Sequence, residues 1–195
     1  YQKESIQLDS RFQGTLRPYQ LTGLSWLQSI SKWSPGCCLA DEMGLGKTVQ
    51  TLAFLSQRKA KHLIIAPTSL LYSWHAHAQK FTPSLTCLVY HGKNRDLSKI
   101  SRVDLVISSY GLLHELSAKE QNLHFSTLVL DEAQALKNHT TQRFKAACNI
   151  SRDFTLALTG TPIENHLGDL WSIFFITVPD LLGARATFKT KYAYS

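Results

Sequence analysis

The chain has 195 residues, 44% of them hydrophobic and only 18% charged. That composition suits one domain, or two small ones, around a large core, and it excludes a disordered tail or a coiled coil. Lysine and arginine number 21 against 14 aspartate and glutamate, a formal charge of +7 that favours polyanionic partners.

No apolar run approaches the ~20 residues that a membrane-spanning helix needs, so no membrane partner is expected. The start, Tyr1-Gln2-Lys3-Glu4-Ser5, is polar and carries no signal-peptide pattern. It also lacks an initiator methionine, so the chain reads as a piece of a longer one. Cys37 and Cys38 are adjacent, Cys87 and Cys148 stand alone, and no C-x-x-C occurs, which argues against a zinc site or a redox pair. Cys37, Cys38 and Cys87 lie in apolar runs and are expected to be buried thiols of a reducing compartment. His75 and His77 are two apart and would point to different faces of a helix, which does not suit a metal pair.

Along the chain, short apolar runs alternate with helical periodicity. Leu21, Leu24, Leu27 and Ile30 mark a first helix, with Pro18 suited to its first turn. Apolar runs at 37–40, 63–66, 87–90, 105–107, 128–130 and 156–158 read as strands of a parallel sheet covered on both faces. Between them, 48–56 places Val49, Leu52, Ala53 and Leu55 at helical spacing. Leu70, Leu71, Trp74, Ala78 and Phe81 form a second stripe, and Leu167, Leu170, Trp171, Phe174, Phe175 and Val178 a third. The alternation predicts an α/β layered fold, whose ligands bind beyond the carboxyl ends of the strands.

Three of the strands end in residues with chemical potential. After 37–40 comes Asp41-Glu42-Met43-Gly44-Leu45-Gly46-Lys47-Thr48 and then a helix, nearly the phosphate loop G-x-x-x-x-G-K-[ST] with Asp41 in place of its first glycine. Gly44 and Gly46 permit a tight turn that aims N–H groups at phosphate, and the helix N-terminus adds its positive dipole end. Lys47 can reach the β and γ phosphates and the Thr48 hydroxyl can ligate Mg²⁺. After 128–130 comes Asp131-Glu132-Ala133-Gln134. Two carboxylates leaving a buried strand are costly unless metal or water awaits them. Asp131 would hold Mg²⁺ and Glu132 would polarise a water. The bland readings are a glycine turn capping a helix and an aspartate capping a turn. After 156–158 comes Thr159-Gly160-Thr161-Pro162, suited either to linking the nucleotide site to another part or to an ordinary turn.

In this order the pieces resemble superfamily 2 helicases and, within them, the Swi/Snf-type DNA translocases, over about residues 16 to 183. Leu16-Arg17-Pro18-Tyr19-Gln20 with Gly23 and Trp26-Leu27 is similar to that family's adenine-reading motif, which implies Gln20, beside Arg17, as the adenine contact. The run from Ala40 through Asp41, Met43, Gly44, Leu45 and Gly46 to Lys47 and Thr48 is similar to its phosphate loop, including the aspartate. Ile65-Ala66-Pro67-Thr68-Ser69-Leu70-Leu71 with Trp74, and Val106-Ile107-Ser108-Ser109-Tyr110, resemble its DNA-facing segments. Leu130-Asp131-Glu132-Ala133-Gln134-Ala135-Leu136-Lys137-Asn138 and Leu158-Thr159-Gly160-Thr161-Pro162-Ile163-Glu164-Asn165 complete the set, and the Lys137-Asn138 pair and the second run are specific to this branch.

The resemblance implies a RecA-like three-layer fold with a mostly parallel sheet, ATP and Mg²⁺ as cofactors, and double-stranded DNA as partner. The site would comprise Lys47, Asp131 and Glu132 for chemistry and Thr48 and Asp131 for metal. Gln20, Arg17, Asp41, Met43, Gly44, Leu45, Gly46, Lys47, Thr48 and Gln134 would surround the nucleotide. Gln134 stands where the family often has histidine; it can still bridge to Thr159, and it gives the chain a more bacterial or archaeal than eukaryotic look. The implied location is the nucleoid-associated cytoplasm in a bacterium or archaeon and the nucleus in a eukaryote. Residues 1–195 correspond to the first lobe only, with the second RecA-like lobe and its arginine finger expected elsewhere in the parent chain. Two other readings stand beside this one: a small P-loop kinase, and a DNA-binding module without catalysis.

Overall fold

Six strands form a single sheet in the order β1-β6-β5-β2-β4-β3, and every neighbouring pair is parallel. They are β1 (Gly36–Leu39), β2 (His62–Ala66), β3 (Cys87–Tyr90), β4 (Leu105–Ser109), β5 (His124–Leu130) and β6 (Ser151–Leu158). The computed structural model of the chain describes residues 8–41, 44–93, 95–118, 122–160 and 167–192.

Strand parity sorts the core into two layers. Cys37, Leu39, Ile64, Leu105, Ile107, Val129, Leu156 and Leu158 point to one face. There they meet Leu24 and Leu27 of α1 (Pro18–Ile30), Leu52 and Leu55 of α2 (Lys47–Ser56), and Leu71, Trp74 and Ala78 of α3 (Leu71–Phe81). Leu63, Ile65, Val106, Leu128, Leu130 and Ala157 point to the other face. They meet Leu113 and Leu116 of α4 (Leu113–Leu116), Phe144 and Ala147 of α5 (Gln142–Asn149), and Ile173 and Ile176 of α6 (Leu167–Thr177). This is the period of two that puts successive strand side chains on opposite faces. A last helix, α7 (Arg185–Tyr192), packs on α6 and buries Phe188.

All six expected strands form. β5 and β6 begin earlier than their apolar runs because they extend each other, down to the pair His124–Ser151. The helices expected around 48–56, 70–81 and 167–178 form, although Thr68–Leu70 is a 3-10 turn ahead of α3. The short helices α4, α5 and α7 were not expected. In α5, Thr141 at the N-cap accepts a hydrogen bond from Phe144 N at 3.3 Å. Cys37 is buried, but Cys38 and Cys87 are only half-buried, a correction to the expectation for those two thiols. Burial still pushes the three thiols up, to about 12, 11 and 12. Among the described residues no helix is long and apolar enough to cross a membrane.

Because the strands are parallel, the loops that follow all six share one rim of the sheet, and the residues that enter the strands share the opposite foot.

Candidate functional site at the rim of the sheet

The first wall of the site is backbone. Gly44 has φ +84° and Gly46 φ +78°, ψ 36°, both in the left-handed region that side chains disfavour. Gly46 is the N-cap of α2, and its carbonyl accepts from Val49 N and Gln50 N, both at 3.1 Å. A Cβ on Gly46 would lie 2.3 Å from Gln20 Nε2, whereas one on Gly44 would meet nothing within 4 Å. Gly46 therefore needs its torsion, and its missing side chain leaves room for the Gln20 amide.

Gln20, buried on α1, braces this loop: its Nε2 donates to Leu45 O at 3.3 Å and its Oε1 accepts from Arg17 N at 2.9 Å. The Arg17 side chain is exposed. Each end of the Gln20 amide keeps one unused site, a second N–H and a second lone pair. Lys47 Nζ donates to Asp41 O at 2.6 Å, so the ammonium lies back over its own loop, and Gln50 Nε2 reaches Asp41 Oδ2 at 3.5 Å.

The second wall is side chain. Val129 faces α1–α3 and Leu130 faces away, so the parity of β5 returns Asp131 to the side of α2 and α3. Its Oδ2 accepts from Trp74 Nε1 at 2.7 Å and its Oδ1 from Glu132 N at 3.0 Å. Asp131 is buried, and burial holds its carboxyl above the ordinary carboxylate range; the Trp74 hydrogen bond and the nearby Lys47 ammonium oppose that rise. Lys47 and Asp131 thus share one electrostatic environment, although they stand 84 positions apart. The carbonyl of Asp131 accepts from Tyr110 Oη at 2.7 Å, and its N–H donates to Ile65 O at 2.8 Å. Glu132 adopts φ 51°, ψ 55°, a left-handed conformation uncommon for a residue with a Cβ. Gln134 then joins two strand ends: its Nε2 donates to Glu132 Oε2 at 2.6 Å and its Oε1 accepts from Thr159 Oγ1 at 3.0 Å. The bridge from Gln134 to the loop after β6 is present in the form expected.

The arrangement fits a nucleotide with a metal ion. It offers two left-handed glycines ahead of a helix N-terminus, an ammonium, the Thr48 hydroxyl in the first turn of α2, and a carboxylate whose two oxygens each keep a lone pair for a metal-bound water. Met43, expected beside the nucleotide, lies with Glu42 outside the described residues, as does the 161–165 part of the Thr-Gly-Thr-Pro-Ile-Glu-Asn run.

Two expectations are corrected. Ser108, Ser109 and Tyr110, read as facing DNA, are buried. Ser108 Oγ donates to Tyr90 O at 2.9 Å and Tyr110 points at Asp131. Their polar groups are spent on the neighbouring strand β3 and on the segment after β5. Trp74, read as part of the other DNA-facing segment, is also buried, while Thr68 and Ser69 of that segment are exposed. The bonds to Asp131 from Trp74 and Tyr110 were not foreseen. The available signal was that a buried indole N–H or phenol needs a partner.

The family model described as the SNF2-related domain matches residues 19–194. The solved Sulfolobus solfataricus SWI2/SNF2 ATPase core in complex with dsDNA superposes with a TM-score of 0.87 at 39% identity, covering 96% of this chain and 41% of that one. The same sheet architecture, the RecA-like one, is common to both. YwqA of Bacillus subtilis (strain 168), provisionally named an ATP-dependent helicase/translocase, is 39% identical over 192 residues, 93% of this chain and 21% of that protein. Helicase SWR1 of Candida albicans is 35% identical over 189 residues, 90% of this chain and 12% of that protein. The chain spans about a fifth or less of the length of these curated relatives.

Proposed function

Because this chain belongs to the SNF2-related domain family, we propose that it is the first, nucleotide-binding RecA-like lobe of a DNA-dependent ATPase that translocates on double-stranded DNA and remodels protein–DNA complexes. The observation that carries this reading is the convergence on one rim of the Gly44–Thr48 loop, which follows β1, and Asp131, which follows β5, in one parallel sheet. In this reading Lys47 leaves the Asp41 carbonyl to meet the β and γ phosphates, and the N–H groups at Gly44, Leu45 and Gly46 line the phosphates. The spare donor and acceptor of Gln20 meet the adenine edge, with Arg17 and Met43 beside the nucleotide. Thr48 and Asp131 hold Mg²⁺, which when bound neutralises charge on the phosphates. Glu132 orients the attacking water, and Gln134 relays the state of the site to Thr159.

Double-stranded DNA is the proposed partner on the side of the exposed Thr68 and Ser69, supported by the +7 charge and by the DNA-bound Sulfolobus core. Such binding is electrostatic and weakens steeply with salt. The kinase reading is disfavoured by how the arginines are used. Arg58 lies over Phe54 and Phe154, Arg95 pairs with Glu115, Arg152 binds carbonyls, and Arg185 lies over Trp171, so no clamp for a transferred phosphate assembles from them. A silent module is disfavoured because Lys47, Thr48, Asp131 and Glu132 are all present.

The charge that develops on the γ-phosphate calls for a cation from across the cleft, and an arginine finger is worth roughly 10³ to 10⁵ in rate. Residues 1–195 alone are therefore expected to bind ATP and hydrolyse it very slowly, even with DNA. Adding a second lobe, covalently or in trans, should restore DNA-stimulated hydrolysis, and Glu132→Gln should remove that activity while leaving nucleotide binding largely intact. Fast, DNA-stimulated hydrolysis by residues 1–195 alone, absent in a Lys47→Ala control, would overturn this division of the machinery.

A further inference from the structure

We propose that Trp74 and Tyr110 are positioning residues for Asp131: the indole fixes the carboxylate that receives the metal, and the phenol fixes the peptide plane that leads into Glu132. The inference rests on reading Asp131 as the metal carboxylate.

The two contacts are alike in length, 2.7 Å each, and differ in what they hold. Trp74 Nε1 donates to Oδ2 of the side chain. Together with the bond from Glu132 N to Oδ1, it gives each carboxylate oxygen one protein donor, which sets the side-chain torsion. Tyr110 Oη donates to the Asp131 carbonyl, the oxygen of the peptide that joins Asp131 to Glu132. Glu132 sits at φ 51°, ψ 55°, and a residue held in that region persists only where its surroundings over-determine it. The phenol, the Ile65 carbonyl and the Gln134 amide provide that determination.

Trp74, Tyr110 and Asp131 are all buried, so water does not readily replace either donor. Neither residue can reach DNA or a phosphate directly. Both come from segments whose neighbours look outward: Trp74 lies one turn into α3, behind the exposed Thr68, Ser69 and Tyr72, and Tyr110 precedes the exposed Gly111. The indole is anchored with Leu71 and Ala78 in the core, so α3 links the outer turn to the carboxylate as one packed body.

The partners of a metal ligand typically change metal affinity by 10- to 100-fold when removed. The test uses residues 1–195 and a fluorescent ADP, with its affinity measured in EDTA and then across a Mg²⁺ titration. Trp74→Phe should raise the half-saturating Mg²⁺ about tenfold, and Tyr110→Phe, whose bond is to the backbone carbonyl, should raise it clearly but less. ADP affinity in EDTA should stay within about twofold for both, since neither residue touches the phosphate loop. Tyr110→Phe removes a single hydroxyl and keeps the ring, so it carries the test if Trp74→Phe fails to fold by circular dichroism. Unchanged Mg²⁺ half-saturation in the folded variants, alongside an Asp131→Asn protein that has lost its Mg²⁺ response, would overturn the positioning role and leave the site reading intact. An Asp131→Asn protein with a normal Mg²⁺ response would overturn the site reading itself, and the positioning role with it.

Discussion

The side chains that line the two ends of the parallel sheet are set for different tasks. At the rim, Gln20, Asp131 and Gln134 are bonded yet keep unused donors or lone pairs, and the backbone is left-handed at Gly44, Gly46 and Glu132. At the foot, Arg152 and Asp104 close the ends of elements, while His62 Nδ1 and Thr127 Oγ1 are buried without a hydrogen-bond partner among the described residues. Arg152 donates to the carbonyls of Ala147, Cys148 and Ile150 at the end of α5 and to Ile176 O of α6, at 2.8–3.1 Å, and its Nε reaches Thr155 Oγ1 at 3.0 Å. A cation at two helix C-termini is also favoured by their dipoles. Asp104, before β4, accepts from Thr86 N and Thr86 Oγ1, at 2.8 and 2.6 Å. The difference teaches where the loss of a polar side chain is felt: at the rim in ligand affinity, at the foot in stability.

The largest expected effect tests the foot. His62, the first residue of β2, is buried, and burial pushes its imidazole down to about 4; its Nε2 lies 3.2 Å from Arg58 O. The unfolded chain binds a proton near pH 6.5, whereas the native state resists it to about pH 4. Stability is therefore full above pH 6.5 and falls as pH drops from 6.5 to about 4, by about 3 kcal/mol in all. Urea midpoints for the wild-type chain at pH 7.5 and 4.5 should separate clearly, and those of His62→Gln should separate much less. Equal pH dependence in the two proteins would remove His62 from the account of stability.

A smaller effect, of the opposite kind, is expected at the rim. Lys47→Ala removes a charge-assisted contact to phosphate and should weaken ADP binding roughly tenfold, ~1.4 kcal/mol. The melting temperature of the free chain should move by no more than about 2 °C. Calorimetry showing equal affinity would break the assignment of the phosphate loop. A large loss of stability would break the contrast between the two ends.

How much of this could be read from the sequence follows from how local each feature is. The phosphate loop is a property of eight consecutive residues, and its glycines have the torsions their positions demand. The strands were legible because six apolar runs fall at β spacing. The bridge from Gln134 to Thr159 was available through the family resemblance and is present. The partners of Asp131 were not legible. Trp74 and Tyr110 lie 57 and 21 positions away, and only the register of β2, β4 and β5 brings their segments together. The same holds for Arg152, whose partners are backbone carbonyls on two helices and carry no side-chain signature. Reading Ser108–Tyr110 as outward-facing failed because the polar groups of Ser108 and Tyr110 are bonded to Tyr90 and Asp131, 18 and 21 positions away, which the segment's own polarity does not reveal.

The smallest expected effect asks whether the phosphate loop's two left-handed glycines are held by the same cause. Gly46→Ala places a side chain at φ +78°, which costs about 1 kcal/mol in the left-handed region. Its Cβ would also stand 2.3 Å from Gln20 Nε2, the end of a flexible side chain, so the amide would swing away and lose its bond to Leu45 O. Gly44→Ala has the torsion cost alone, because nothing lies within 4 Å of its Cβ. Gly46→Ala should therefore lower the melting temperature by about 3–4 °C and Gly44→Ala by about 2–3 °C. A double-mutant cycle separates the two costs: in a Gln20→Ala background the collision is gone, so Gly46→Ala should shrink to the Gly44→Ala value while Gly44→Ala stays the same. If Gly46→Ala costs the same in both backgrounds, the Gln20 amide does not press on the loop. The brace from α1 to the phosphate loop would then have no energetic weight, and the rim would be held by backbone torsion alone.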